Sequence, residues 1–157
     1  SMLGPAQKQW LLDELKKSTA TFKVIASSVP WAEGTKPGSL DTWDGHPQER
    51  EELFSFIEKS KIEGVVLLSA DRHRSDAWKI SRPNGYDFYE FESSKISNIH
   101  THNIMPGSLF GYNKKCSFGR LDFDTTANDP RVSYRVFSID NEEIHRLTIY
   151  KSDLSFK

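Results

Sequence analysis

Gly64-Val65-Val66-Leu67-Leu68-Ser69-Ala70-Asp71-Arg72-His73 is the stretch on which the reading of the fold depends. Residues 64–69 are a short unbroken apolar run, the pattern of a strand buried on both faces, and residues 70–73 turn abruptly polar. Such a strand needs cover above and below, and the residues before it supply some. Residues 47–60 (PQEREELFSFIEKS) read as an amphipathic helix with Pro47 first, acids in the first turn, and Leu53, Phe54 and Ile57 as its apolar stripe. Residues 21–27 alternate Phe22, Val24 and Ala26 as a strand does. Residues 5–18 make a second helix, with Trp10, Leu11, Leu12 and Leu15 apolar and Lys16-Lys17 at its C-terminal dipole end. Helix, strand, loop, helix, buried strand predicts an α/β class with a parallel strand pair and a right-handed crossover.

Beyond Ala70 the pattern becomes mostly β. Residues 77–82, 86–92, 115–123, 131–139 and 143–151 show strand patterning, separated by turn signals such as Pro83-Asn84-Gly85 and Asp140-Asn141, and the last two read as a hairpin. Residues 93–114 are the least regular. A loop from Ser27 to His46 holds Pro30, Gly34, Pro37, Gly38 and Gly45 along with Trp31 and Trp43. Unstructured loops of about 20 residues are usually functional or mobile, so this one is expected to move unless its tryptophans anchor it.

The chain has 157 residues, one domain's worth, with 21 basic against 22 acidic side chains. This balance gives no global field for nucleic acid, so any phosphate recognition must be local. A single cysteine, Cys116, excludes an internal disulfide and every cysteine-based zinc motif, and it is expected as a small core residue. No run approaches the roughly 18 apolar residues of a membrane span. Ser1-Met2 reads as a cloning scar, and the opening lacks the basic and apolar regions of a signal peptide. The chain is therefore expected to be a piece of something longer.

Asp71-Arg72-His73 stands where α/β sheets bind ligands, outside the carboxyl end of a strand. Carboxylate oxygens and imidazole nitrogens suit divalent or trivalent metals, and Arg72 between them suits phosphate. The plainer reading is a turn-capping aspartate and a hydrogen-bonded histidine. Asp41-Thr42-Trp43-Asp44-Gly45-His46-Pro47, followed by Glu49 and Arg50, flanks an aromatic plane with polar groups at a helix N-terminus. It also reads as an ordinary Asx turn with Trp43 packed on the core. The spacing of His100 and His102 in IHTHN puts both on one face of a strand, as a metal pair or as two half-exposed histidines. His145 is expected at the surface. No G-x-S-x-G, P-loop or dinucleotide fingerprint is present.

Taken in order, Leu3-Gly4-x-x-Gln7-x-x-Trp10-Leu11, FKVIASSVPW, Asp41-x-Trp43-Asp44-Gly45-x-x-x-Glu49-Arg50, VVLLSADRH, FYEFESS and FGRLDFD resemble the C-terminal half of the alkaline phosphatase D family. Those enzymes belong to the calcineurin-like metallophosphoesterases. The resemblance runs from Leu3 to about residue 151. It implies part of a four-layer sandwich, with two mixed β-sheets flanked by helices and a multinuclear metal centre at the strand ends. It also implies hydrolysis of phosphomonoesters or phosphodiesters. Asp71 and His73 carry over as ligands for divalent or trivalent ions (iron, calcium, manganese or zinc), and Arg72 as a catalytic neighbour. Trp43, Asp44 and Arg50 carry over as substrate-binding members of a signature loop. Ala70 stands where the family has glycine, which would crowd the turn if positive φ is needed there.

The family's other ligands lie in the N-terminal half of its domain. This chain is therefore expected to be inactive alone, to pair with that half or with itself along residues 64–69, and to come from an exported or membrane-associated parent. The rival expectation is a non-catalytic α/β binding module.

Overall fold

The computed structural model describes Ser1–Lys157. Two helices, α1 (Gly4–Lys17) and α2 (Pro47–Lys59), accompany eight strands: β1 (Lys23–Ala26), β2 (Val65–Ser69), β3 (Ser75–Ile80), β4 (Phe88–Ser93), β5 (Phe110–Tyr112), β6 (Ser117–Asp124), β7 (Arg131–Ser138) and β8 (Glu143–Tyr150). The first five form a mixed sheet ordered β1-β2-β4-β3-β5, with β1, β2 and β4 parallel and β3 antiparallel to both its neighbours. Strands β6, β7 and β8 form a separate sheet, wholly antiparallel rather than mixed. The parallel β1–β2 pair predicted from the sequence is present.

Strand alternation decides what each face of the first sheet carries. On β4, Phe88, Glu90 and Glu92 share one face and Tyr89, Phe91 and Ser93 the other. Phe88 meets Phe54 of α2 at 4.8 Å between ring centroids, whereas Phe91 stacks on Tyr134 of β7 at 4.6 Å. The sheet thus lies between helix α2 and the second sheet, and the core runs through both contacts. Gly64, at φ 73, lets the chain enter β2 from a left-handed turn; a β-carbon there would lie 2.1 Å from the Thr21 carbonyl oxygen.

Several expectations need correcting. Strand β2 is not an edge, because β1 and β4 flank it; the parallel-strand edge is β1, where Val24 is exposed. Residues 93–114 contain β5, which is only three residues long and too short to show a period. His145 is half-buried, stacked on Phe110 at 3.9 Å between ring centroids, and burial pushes its pKa down. Cys116 is half-buried just before β6 rather than in the core. The Ser27–His46 loop is anchored at both indoles. Trp31 and Trp43 stack at 4.3 Å, the Trp31 Nε1–H donates to the Leu68 carbonyl (3.0 Å) and the Trp43 Nε1–H to Ser27 Oγ (3.0 Å).

Outside the site, the guanidinium of Arg82 joins Glu51 and Glu58 of α2. The bonds from Arg82 hold the Glu51 carboxyl down at about 2, below its ordinary 4.5. A depressed carboxyl contributes stability above its unfolded pKa and loses it as pH falls through the folded value. Arg82→Gln removes that contribution, so its acid-unfolding midpoint, followed by circular dichroism, is expected at higher pH than wild type. An unchanged midpoint would show that the pair is too solvated to matter.

Candidate metal centre

The chain leaves β2 at Ser69 and re-enters the sheet at Ser75, so Ala70–Arg74 form a turn at the carboxyl end of the central parallel strand. Two residues of it are left-handed: Asp71 at φ 85 and His73 at φ 46. Such conformations cost on the order of 1 kcal/mol or more for non-glycine residues and persist only where the surroundings impose them. Ala70 has no positive φ, so its methyl group meets no left-handed strain.

The surroundings that impose this turn are buried polar groups. Glu92 Oε1 accepts the Arg72 N–H (2.7 Å), Ser94 Oγ accepts the His73 N–H (2.9 Å), and Thr101 Oγ1 donates to the His73 carbonyl (2.9 Å). Arg74 is fully buried; it donates to Asp76 Oδ2 (2.5 Å), the Asn103 carbonyl (3.0 Å) and the Thr35 carbonyl (3.4 Å). Asp76 and Glu92 are register partners across β3 and β4. Burial, and then the Asp76 carboxylate, push Glu92 well above the usual carboxylate range. Next along the same face, Glu90 accepts the Trp31 N–H (2.8 Å) and the Ala32 N–H (2.7 Å) and is bonded by Ser69 Oγ. Burial raises the Glu90 pKa too.

Around the turn, Asp71 keeps a partly exposed carboxylate with Lys36 Nζ at 3.4 Å and Arg72 Nη1 at 3.7 Å. Arg72 is mostly buried, and its Nε is an orphan donor. The His73 Nδ1 is likewise buried without a partner. Unpaired buried polar atoms are rare in folded proteins, and sites for ions or ligands are one of the places they occur.

His100 and His102 lie beside His73, but not on a strand. Residues 94–109 cross the end of the sheet as coil, held by Arg74 and by Asn113 Nδ2 donating to the His102 carbonyl (3.0 Å). Burial, then the charges of Arg72 and the neighbouring histidines, lower the His102 pKa and favour the neutral, ligand form of the ring.

Trp43, Asp44 and Arg50, expected as substrate-binding residues, make their contacts within the loop itself. Trp43 is buried under Trp31. Asp44 accepts the Gly34 N–H (3.0 Å) and an Arg50 N–H (3.1 Å), and Arg50 also donates to the Trp31 carbonyl (2.9 Å). The three brace the loop that carries Lys36 to Asp71. Sequence reasoning missed Lys36 and the Arg74–Asp76–Glu92 cluster. A signal for the cluster was present: acids at alternate positions of FYEFES, on the face that a strand should bury.

A family model for PhoD-like phosphatases matches residues 1–138. The chain belongs to the PhoD-like phosphatase family. Alkaline phosphatase D of Bacillus subtilis (strain 168) is 37% identical over 102 residues, covering 61% of this chain and 17% of that protein. A solved structure of PhoD superposes over 94% of this chain and 36% of its own, with a TM-score of 0.64 at 21% identity. GAP50, the anchor in the inner membrane complex of Plasmodium, shares the fold at a TM-score of 0.60 and 14% identity, over 97% of this chain and 42% of its own. The chain thus spans less than half of each relative.

Proposed function

We propose that this chain is the C-terminal part of a metal-dependent phosphoesterase and supplies Asp71 and His73 as metal ligands. The observation that carries the reading is the Asp71–His73 turn. In a chain of this family, buried groups hold two potential ligands in strained backbone at the end of the central strand. The donors fit the group: a partly exposed carboxylate and an imidazole with an unpartnered nitrogen suit iron, manganese or zinc, and the carboxylate suits calcium. Bound metal would polarise phosphoryl oxygens and lower the pKa of an attacking water. Arg72, through its free N–H, and Lys36 place positive charge where phosphate would bind. Trp43, Asp44 and Arg50 act through the loop that positions Lys36. Glu92 and Ser94 keep the turn in place by holding its N–H groups.

An alternative reading, a non-catalytic binding module, has one observation in its favour: Lys36 and Arg72 already flank the Asp71 carboxylate. Metal content separates the two. In the full-length protein, hydrolysis of p-nitrophenyl phosphate or bis-p-nitrophenyl phosphate is expected to stop on chelation and return with added metal. Activity indifferent to chelation, or a full-length protein purified without metal and inactive when supplied with it, would sink the phosphoesterase reading.

The remaining ligands, on this reading, come from an N-terminal half that docks along β1. There Trp10 and Val24 are exposed and a cavity of about 360 Å³ is lined by Met2, Leu3, Leu11, Ile25, Trp31 and Trp43, among others. Unpaired strand edges recruit other chains. The isolated chain is therefore expected to self-associate in a concentration series by light scattering, and a monomer throughout would count against β1 as a docking edge.

A further inference from the structure

Three imidazoles from two separate segments converge beside the turn. His73 comes from the β2–β3 connection, and His100 and His102 from the coil that crosses the sheet end. Their ring centroids lie 5.4 Å (His73–His100), 5.6 Å (His73–His102) and 4.7 Å (His100–His102) apart. Histidine nitrogens bind zinc at about 2.0–2.1 Å, which sets the ring centroids of a tetrahedral site about 5 Å from one another. The observed triangle has that size. One ligand nitrogen from each ring falls within 4.8 Å of the others, so a modest inward movement would complete the contact. His100 is exposed and carried on coil, and can make that movement.

The anchoring points the same way. Hydrogen bonds fix this region through the backbone: the His73 N–H to Ser94 Oγ, Thr101 Oγ1 to the His73 carbonyl, the His100 N–H to Asn98 Oδ1, and Asn113 Nδ2 to the His102 carbonyl. Arg74 holds the next carbonyl, that of Asn103. The scaffold is tied down while the imidazoles remain available, and the His73 Nδ1 is buried with nothing to bond. Aromatic packing alone would explain edge-on rings, but it leaves that polar atom unaccounted for.

We propose that His73, His100 and His102 form a three-histidine site for a divalent transition metal of the zinc class, with a further coordination position open to solvent or an anion. An all-nitrogen donor set selects zinc, cobalt, nickel or iron over calcium and magnesium, which require oxygen ligands. The proposal rests on the phosphoesterase reading only through His73, which both share. It differs in needing nothing from an N-terminal half, so the chain alone should bind metal.

Cobalt(II), whose visible absorption reports its coordination, is the probe. Titrated into the 157-residue chain, it is expected to bind one ion per chain and to be displaced by zinc. His100→Ala and His102→Ala should each weaken binding by more than about 10-fold, the size of effect that even a supporting residue of a metal site shows. His46→Ala should leave it unchanged. Thermal unfolding without metal should be nearly the same for the His100 and His102 variants as for the parent chain, since His100 is exposed and His102 half-buried, both on coil; His102→Gln provides a second, bulkier replacement if the alanine variant unfolds early. Absence of stoichiometric cobalt binding, or binding that survives both histidine changes, would overturn the proposal. If binding survives them but is lost in Asp71→Asn, the ion belongs to the Asp71–His73 pair, and the phosphoesterase reading stands without the three-histidine site. If the histidine changes abolish binding while full-length protein lacks phosphatase activity, the site stands and the phosphoesterase reading falls.

Discussion

Asp71→Asn and His73→Gln, placed separately in the full-length protein, are expected to lower phosphate-ester hydrolysis per folded molecule by more than about 100-fold. If Asp71 and His73 hold metal as proposed, removing the ligand charge or the ligand nitrogen disturbs metal occupancy or the position of the attacking water. The choice of replacement follows from the backbone. Both residues have positive φ, which asparagine tolerates better than alanine does. A β-carbon-only replacement at these positions mixes backbone strain with loss of function. The Asp71→Asn change should therefore leave folding nearly intact. A cost below about 1 kcal/mol corresponds to a fall in melting temperature of no more than roughly 4 °C for a chain of this size. Were Asp71 only a turn cap and His73 only a packed ring, the opposite would follow: destabilisation in both fragment and full-length protein, with turnover unaltered. Phosphatase rate and melting temperature measured on the same preparations decide between them, and unaltered turnover would remove the metal-ligand assignment.

How much of this was legible without coordinates depends on the range of the interactions involved. The β2 run and the α2 stripe are local periodicities, and they placed the parallel pair and its helical cover correctly. The Asp71-Arg72-His73 turn was legible because chain order alone puts it at a strand's carboxyl end. What stayed hidden depends on long-range packing. Nothing local tells that Lys36 reaches Asp71 across 35 positions, or that residues 94–109 carry His100 and His102 onto the same turn. The IHTHN spacing suggested one strand face, yet the segment is held as coil by Arg74 and Asn113, contacts outside any sequence window. The error about β2 arose similarly. A doubly buried strand must have neighbours on both sides, and β4, its second one, enters from more than 20 residues later in the chain.

Trp43→Ala is expected to destabilise the chain by about 3–5 kcal/mol, the usual cost of deleting a large buried aromatic ring. The indole is 1% exposed and stacks on Trp31 at 4.3 Å; Trp31 in turn leans on Phe54 of α2. Removing it opens a void against Trp31 and leaves Ser27 Oγ with the Val29 N–H as its remaining donor. In a chain of this size the change should lower the melting temperature by roughly 10 °C. Trp43→Phe keeps an aromatic ring but loses the Nε1–H and part of the bicyclic volume, so its cost should exceed the about 1 kcal/mol typical of one hydrogen bond while staying below that of the alanine change. The loop between Ser27 and His46 also carries Lys36, whose ammonium lies 3.4 Å from Asp71. Loosening its anchor should therefore withdraw that charge from the turn. In the full-length protein the alanine variant is expected to lose activity in step with its folded fraction, with a smaller further loss once that fraction is corrected for. A tryptophan that touched substrate directly would behave in reverse, with melting temperature nearly unchanged and the loss appearing as a raised KM. Calorimetry of Trp43→Ala beside its steady-state kinetics separates a residue that holds the loop from one that holds the substrate, and an unchanged melting temperature would refute the burial argument.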